Sequence, residues 1–145
     1  MKVLFVCTGN TCRSPMAEAL FRDKTEGGFE VKSAGVSAYV GQRASEHARK
    51  VLELRGIAHD HAAQRVDDHL IAWADLILTM THGHKAMIQQ YFPGVAHKLY
   101  TLKEFVGESG EVADPYGGDF TLYQHCATEL EQTLDKLHEK LRGWL

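Results

Sequence analysis

The N-terminal run Val3-Leu4-Phe5-Val6 constrains the fold more than any other feature of the chain. A short, continuous apolar run is typical of a strand that is buried on both faces of a parallel sheet. A loop follows this strand, and a helix is predicted from Ser14-Pro15, with Ser as its cap and Pro at its first position. The chain is therefore expected to begin with a central strand, a loop and a helix.

Strands and helices alternate along the rest of the chain. Further strands are predicted at residues 29–33, 75–80 and 98–100, and helices at 45–55, 67–74, 82–91 and about 122–141. This alternation predicts an α/β fold: a three-layer, doubly wound domain with a central four-stranded parallel sheet and helices on both faces. The chain has 145 residues and no internal repeat or linker, so residues 1–145 are expected to form a single domain.

Composition and charge argue against several classes of binding partner. The formal charge of −3 argues against an extended nucleic-acid interface, and no stretch is long and apolar enough to cross a bilayer. The N-terminus does not have the pattern of a signal peptide. Three cysteines are too few for a disulfide framework and suit a reducing compartment. We expect a cytoplasmic monomer that binds neither nucleic acid nor membrane.

The loop after the first strand contains the candidate catalytic residues. Cys7 and Arg13 lie there with five residues between them. Such a loop, between a strand and a helix, can turn its backbone N–H groups inward and form a nest for a phosphate. Gly9 and Asn10 tolerate the left-handed backbone angles that this curvature needs. A thiol beside a helix N-terminus and a guanidinium ionises readily, so Cys7 is predicted to be a nucleophilic thiolate at neutral pH. Arg13 offers paired donors to two phosphoryl oxygens, and Ser14 can donate its hydroxyl to the sulfur.

Phosphoryl transfer to sulfur also needs an acid that protonates the leaving group. Asp114 is the candidate, because it lies on a late loop and Pro115 biases it towards an extended conformation. Asp119 is the alternative acid, and Asp114 in that case only caps a turn. The predicted catalytic residues are thus Cys7, Arg13 and Asp114, and the scheme requires no metal and no cofactor.

The predicted substrate-binding residues surround these groups. Six belong to the loop and two are aromatic residues that can wall the pocket: Thr8, Gly9, Asn10, Thr11, Cys12, Ser14, Tyr39 and Tyr116.

The residues of this loop, together with the late Asp114-Pro115-Tyr116, resemble the signature of the low-molecular-weight protein tyrosine phosphatases. The resemblance covers essentially the whole chain and implies hydrolysis of phosphorylated proteins through a phosphocysteine intermediate. It also implies a reversible disulfide between Cys7 and Cys12, although Cys12 can equally be a small buried side chain under the loop. His61 resembles a family histidine that supports Asn10.

Within the family, the sequence most resembles the bacterial protein-arginine phosphatases. The resemblance is carried by Thr11 and by three segments, Met80-Thr81-His82-Gly83-His84-Lys85, Thr101-Leu102-Lys103-Glu104 and Asp114-Pro115-Tyr116-Gly117-Gly118. It implies phosphoarginine in proteins as the substrate and a protein-arginine kinase as the opposing enzyme in stress control. Phosphotyrosine remains the alternative, because Tyr39 and Tyr116 can stack on a phenyl ring as well as on a guanidinium.

Two other classes of function compete with a phosphatase. Arsenate reductases of similar fold share the Cys-x5-Arg loop but use two further cysteines in the middle of the chain, which this sequence lacks. A non-catalytic phosphopeptide-binding module would need neither Cys7 nor Asp114. A metal site is not expected, because no cysteine or carboxylate is placed to complete a site with His82 and His84 or with His59 and His61.

Overall fold

The computed structural model describes residues 1–144, which form four strands and six α-helices. In chain order these are β1 (Lys2–Cys7), α1 (Arg13–Thr25), β2 (Glu30–Gly35), α2 (Glu46–Leu54), α3 (Asp68–Trp73), β3 (Leu76–Thr79), α4 (His82–Tyr91), β4 (Leu99–Thr101), α5 (Leu102–Phe105) and α6 (Phe120–Arg142). A short 3-10 helix, Ala96–Lys98, precedes β4. The strands are parallel in the order β2-β1-β3-β4, which confirms the predicted sheet.

Strand β1 lies in the middle of the molecule and is buried on both faces. Val3 and Phe5 pack into one hydrophobic cluster, with α1, α2, α5 and α6. Leu4 and Val6 pack into the other, with α3 and α4. The alternation of side chains along the strand explains this division, since neighbouring residues point to opposite faces of a sheet. The predicted three-layer arrangement is therefore confirmed.

The order of the strands places the loop after β1 at a switch point. The chain moves from β1 to β2 on one side and continues to β3 on the other side of β1. Ligands of doubly wound sheets bind at such points, beyond the carboxyl ends of the strands.

One prediction about local structure is wrong, and one short α-helix was missed. Ser14 does not cap α1, because Cys12 occupies the cap position, Arg13 is the first helical residue and the Ser14 hydroxyl lies 2.8 Å from the Cys7 sulfur. The short helix α5 was not predicted. Its signal was present in the sequence, since Thr101 and Glu104 form a capping box. The four strands and the helices α2, α3, α4 and α6 begin and end within two residues of the predicted bounds.

Gly35, at the end of β2, lies against the loop that follows β1. A Cβ atom at this position would lie 2.5 Å from the carbonyl oxygen of Thr8 and 2.9 Å from the backbone nitrogen of Asn10. Both contacts are far inside van der Waals distance, and both are with backbone atoms that cannot rotate away. The close approach of β2 to the loop therefore requires a residue without a side chain.

His84 connects α4 to the same loop. Its Nε2 lies 2.8 Å from the hydroxyl of Thr8, and its side chain is buried. Burial, and then the positive charge of Arg13, lower the pKa of His84 to about 4, against the opposing effect of Asp114 and Glu111. The imidazole is therefore neutral near pH 7 and adds no charge beside the loop.

None of the helices in residues 1–144 combines the length and the apolar character that crossing a membrane requires.

Replacement of Gly35 by Ala tests the close approach. We expect Gly35→Ala to lower the free energy of unfolding by about 1–3 kcal/mol, because the new methyl group must displace the loop backbone. Urea unfolding measures this change. Gly83→Ala is the matched control, since its Cβ would meet only Thr81 Oγ1, at 3.5 Å, and stability should stay at least as high as in the wild type. Equal stabilities of Gly35→Ala and the wild type would contradict this account.

The low pKa of His84 predicts a pH dependence of stability. Below pH 6.5 the unfolded chain binds a proton on His84 that the native chain does not bind, so the free energy of unfolding falls as the pH falls towards 4. The contribution of this one group approaches about 3 kcal/mol near pH 4. We expect His84→Gln to flatten the slope between pH 6.5 and 4 in urea unfolding, whereas His69→Gln, on the exposed surface of α3, keeps it. A slope unchanged in His84→Gln would refute the assignment.

Candidate active site

A cavity of about 290 Å³ opens beyond the carboxyl end of β1. Most of the predicted site residues line it, and they come from the loop after β1, the segment after β2 and the loop before α6. The lining residues are Cys7, Thr8, Gly9, Thr11, Cys12, Arg13, Ser37, Tyr39, Gln42, Asp114 and Tyr116. Ser37 and Gln42 were not predicted, because they belong to no motif and reach the cavity only through the path of the chain after β2.

The loop turns its carbonyl groups away from this cavity. Four of its carbonyl oxygens accept hydrogen bonds at 2.6–3.0 Å from the segment after β2, from His61 and from the residue before α2: those of Cys7, Thr8, Asn10 and Thr11. In a trans peptide the next N–H points opposite to the carbonyl. The N–H groups of Thr8, Gly9, Thr11 and Cys12 therefore point to the cavity side, as a phosphate nest requires.

The sulfur of Cys7 lies at the base of the cavity and has Ser14 as its partner. The two side-chain atoms are 2.8 Å apart, and both residues are buried. Asn10 Nδ2 donates to the Ser14 oxygen at 2.8 Å, which occupies one lone pair of that oxygen. The Ser14 hydroxyl proton is thus free to point at the sulfur, where it stabilises a thiolate.

Asn10 and Ser14 do not line the cavity but lie behind it. Asn10 is completely buried and has a left-handed backbone, with φ 57°. Its amide nitrogen donates to Ser14 and to Ser33, and its Oδ1 accepts from the backbone nitrogen of Gln64 at 3.0 Å. Both residues were predicted to bind substrate, whereas their positions suit support of the loop.

The Asn10 carbonyl accepts a hydrogen bond from Nε2 of His61 at 2.6 Å. This is the contact that the family resemblance implied for His61.

Arg13 and Asp114 meet across the cavity. The Arg13 side chain is 5% exposed and donates to the carbonyl of Val112 at 2.9 Å, while its other terminal nitrogen lies 3.5 Å from Asp114 Oδ2. Asp114 is half-exposed, and its Oδ1 accepts from the backbone nitrogen of Tyr116 at 3.0 Å. One carboxylate oxygen therefore shapes the turn and the other faces the loop.

Asp119 is engaged elsewhere. It is the N-cap of α6, where its Oδ1 accepts from the backbone nitrogen of Leu122 at 2.9 Å, and it does not line the cavity. Of the two candidate acids, Asp114 is the one that shares the cavity with Cys7.

Tyr39 and Tyr116 stand at the mouth of the cavity and are 78% and 79% exposed. Thr11 also lines the cavity, and its backbone is fixed because Ser45 N donates to its carbonyl at 2.8 Å.

The three cysteines are free and buried. Cys12 lies 3.2 Å from the hydroxyl of Tyr123, and burial raises the pKa of this tyrosine to about 12. Burial also raises the pKa of Cys126 to about 12, so this thiol stays protonated. Cys126 is thus a packing residue of α6.

One prediction about the histidines needs correction. The sequence offered no carboxylate to complete a site with His59 and His61, but the fold brings Glu18 to them. The ligand atoms of these three residues lie within 4.8 Å of one another. This cluster lies outside the cavity and does not contact Cys7.

The cavity thus combines a nucleophile, a guanidinium, inward N–H groups and a carboxylate. This set can bind a tetrahedral oxyanion, attack it and protonate its leaving group without a further component.

Known proteins are similar to this chain in sequence and in structure. Residues 2–143 match the family model of the low molecular weight phosphotyrosine protein phosphatases. A protein-arginine-phosphatase from Geobacillus stearothermophilus is 50% identical over 142 residues, which are 97% of this chain and 96% of the relative. The low molecular weight protein-tyrosine-phosphatase PtpB from Staphylococcus aureus is 40% identical over 146 residues, which are 96% of this chain and 98% of the relative.

A solved structure is similar throughout. It is a mutant of the YwlE arginine phosphatase with a phosphorylated active-site serine. Its TM-score is 0.95 at 43% identity, and the match covers 98% of this chain and 96% of that chain. Sequence and structure agree with the resemblance that the loop and the late Asp-Pro-Tyr indicated. The chain therefore belongs to the low molecular weight phosphotyrosine protein phosphatase family.

Proposed function

We propose that this protein is a phosphatase that removes the phosphoryl group from phosphoarginine in proteins through a phosphocysteine intermediate. The observation that carries the proposal is the meeting of Cys7, Arg13 and Asp114 in one cavity. The three residues have the roles of nucleophile, phosphoryl-binding group and general acid. A purely binding module would need only the loop amides and Arg13, so the presence of a nucleophile and an acid supports an enzyme.

In the first step the Cys7 thiolate attacks phosphorus and an S–P bond forms. The bond from phosphorus to the guanidine nitrogen breaks, and Asp114 gives its proton to that nitrogen. Arg13 and the inward N–H groups hold the phosphoryl oxygens while the phosphorus becomes trigonal bipyramidal. Arg13 is well oriented for this, because its contact with the Val112 carbonyl fixes the guanidinium plane.

In the second step Asp114, now a carboxylate, takes a proton from a water molecule. The oxygen of this water attacks phosphorus, the S–P bond breaks, and inorganic phosphate leaves. The electrons of the broken bond return to the sulfur of Cys7, where the Ser14 hydroxyl stabilises the thiolate. The enzyme is then back in its starting state, and the reaction consumes one water.

Thr11 supports phosphoarginine as the substrate. A β-branched polar side chain on the cavity wall narrows the space for a flat phenyl ring and offers a hydroxyl to the thinner phosphoguanidinium. Asp114 can also pair with the guanidinium nitrogens of the substrate. The relative named protein-arginine-phosphatase, at 50% identity, and the YwlE structure point in the same direction.

Phosphotyrosine is the second candidate substrate. Tyr39 and Tyr116 at the cavity mouth favour it, because aromatic rings stack on a phenyl group. The Staphylococcus aureus relative carries the name of a tyrosine phosphatase. The same two rings also pack on a guanidinium plane, so Thr11 is the residue that separates the two substrates.

The exposed rings and the free cysteines also bear on the oligomeric state and the location of the protein. We infer a single catalytic domain that acts as a monomer, because a monomer leaves the exposed rings at the cavity mouth open to a protein substrate. Three free cysteines suit a reducing compartment, which supports a location in the cytoplasm.

Asp114→Asn tests the general acid. We expect kcat on a phosphoarginine peptide to fall by about 100-fold or more, because an amide cannot donate the proton, while Oδ1 of Asn still accepts from Tyr116 N. Asp119→Asn is the matched control, since Asn also caps a helix and kcat should stay within about twofold. Steady-state kinetics at neutral pH distinguish the two. Equal losses in both variants would exclude Asp114 as the acid.

Matched peptides carrying phosphoarginine or phosphotyrosine test the substrate. We expect a higher kcat/KM for phosphoarginine, and we expect Thr11→Ile to lower the ratio of the two kcat/KM values by at least about 10-fold. Thr11→Val removes the hydroxyl at nearly the same volume, so it separates the effect of the lost hydroxyl from that of the added bulk of Ile. Phosphate release must be followed without acid quenching, because phosphoramidates hydrolyse in acid. A ratio unchanged by Thr11→Ile would refute this account of selectivity.

A further inference from the structure

A cluster of three potential metal ligands lies outside the catalytic cavity and contacts the loop through Asn10. Glu18 of α1 is joined there by His59 and His61, which follow α2 in the chain. Each residue offers one ligand atom, and all three atoms lie within 4.8 Å of one another. A carboxylate and two imidazoles are a ligand set that three-ligand zinc sites use, with the fourth position left to water.

His59 is the residue that the rest of the fold leaves unexplained. Its side chain is 7% exposed, and its Nε2 is buried without a hydrogen-bond partner among residues 1–144. This nitrogen lies 3.9 Å from Glu18 Oε2, which is too far for a hydrogen bond. Ligand atoms of a tetrahedral zinc ion lie about 3.3 Å apart, so a shift of about 0.6 Å brings this pair to the required separation.

His61 is oriented as metal-binding histidines usually are. Its Nε2 is 2.6 Å from the Asn10 carbonyl and, because a carbonyl only accepts, this nitrogen carries the proton. The nitrogen that remains for a metal is therefore Nδ1. Histidines that bind metals commonly donate their other N–H to a carbonyl, which fixes both the tautomer and the ring. The ring of His61 is also stacked on that of His59, with centroids 5.4 Å apart.

Glu18 keeps the capacity for a further ligand bond. Its Oε1 accepts from the hydroxyl of Ser33, and its Oε2 lies 2.8 Å from Arg22. A carboxylate oxygen has two lone pairs, so Oε2 can accept from Arg22 and also bind a metal. The Arg22 side chain is half-exposed and is able to move outward if its charge opposes the ion.

The cluster is also reachable from solvent. A surface cavity of about 160 Å³ is lined by Glu18 and His61, by the exposed carboxylate of Asp60, and by Lys32, whose ammonium lies over the Trp73 ring. This cavity gives a hydrated ion a route to the ligands.

We propose that Glu18, His59 and His61 form a binding site for a divalent transition-metal ion of the zinc class. The site is separate from the catalytic cavity and lies against Asn10, which supports the loop. Borderline-soft ions with imidazole affinity, such as Zn²⁺, are preferred over Mg²⁺ and Ca²⁺, because two of the three ligands are nitrogen atoms.

The test is Zn²⁺ binding to the full chain carrying Cys7→Ser, which removes the reactive thiol as a competing ligand. Calorimetry should detect one site, and adding His59→Ala should weaken its affinity by at least about 100-fold. This substitution keeps the hydrogen bond from His61 to the Asn10 carbonyl and removes only the ring on which His61 stacks. His69→Ala, on the exposed surface of α3, is the control and should leave the affinity unchanged.

Nitrogen-15 spectra of the imidazole rings provide a second measurement that needs no variant of the site. Addition of Zn²⁺ should shift the resonances of His59 Nε2 and His61 Nδ1, while those of His82 and His84 stay in place. Thermal unfolding should show a Tm raised by Zn²⁺ in the parent chain but not in His59→Ala. Affinities equal in His59→Ala and His69→Ala, or shifts confined to other histidines, would overturn the proposal. Its failure would leave the proposed phosphatase reaction untouched.

Discussion

The hydrogen bonds of Asn10 hold the loop on which the rest of the site depends. The residue is completely buried in a left-handed conformation, and each polar group of its side chain has a partner. A buried polar group that loses its partner costs about 1–3 kcal/mol, so alternative loop conformations that break these bonds are disfavoured. Asn is suited to this position because it tolerates a positive φ and also has both donors and an acceptor.

The shape that Asn10 imposes determines the electrostatics of the cavity. Carbonyl oxygens bonded to the surrounding chain leave the N–H groups facing the phosphate position, at the N-terminus of α1. Arg13 adds the full positive charge, and the neutral ring of His84 adds none. Positive potential is therefore concentrated where an oxyanion binds, although the chain as a whole carries a formal charge of −3.

The proposed metal site and the proposed catalytic site share the same support. Ser33 accepts from Asn10 and donates to Glu18, and His61 donates to the Asn10 carbonyl. An ion held by Glu18 and His61 would thus contact two of the side chains that keep the loop in shape. The two sites share no residue, so they can be occupied together.

The sequence by itself determined the order of the elements and the central residues of the proposed site. The apolar run Val3–Val6 and the alternation after it predicted the parallel sheet, because burial on both faces leaves a local pattern. The spacing of Cys7 and Arg13 predicted the phosphate loop for a similar reason, since both residues belong to one short turn between a strand and a helix. Asp114 was found from the need for an acid and from its Pro neighbour.

Only the tertiary structure decided which distant residues complete the site. The backbone nitrogen of Gln64 donates to Oδ1 of Asn10 from 54 positions along the chain. The contact of Thr8 with His84 joins residues 76 positions apart. Glu18 meets His59 only because α1 packs beside the segment that follows α2. Contacts within one turn are encoded by spacing, whereas contacts between separate elements depend on strand order and on how the helices pack, which leave no pattern in a local stretch of sequence.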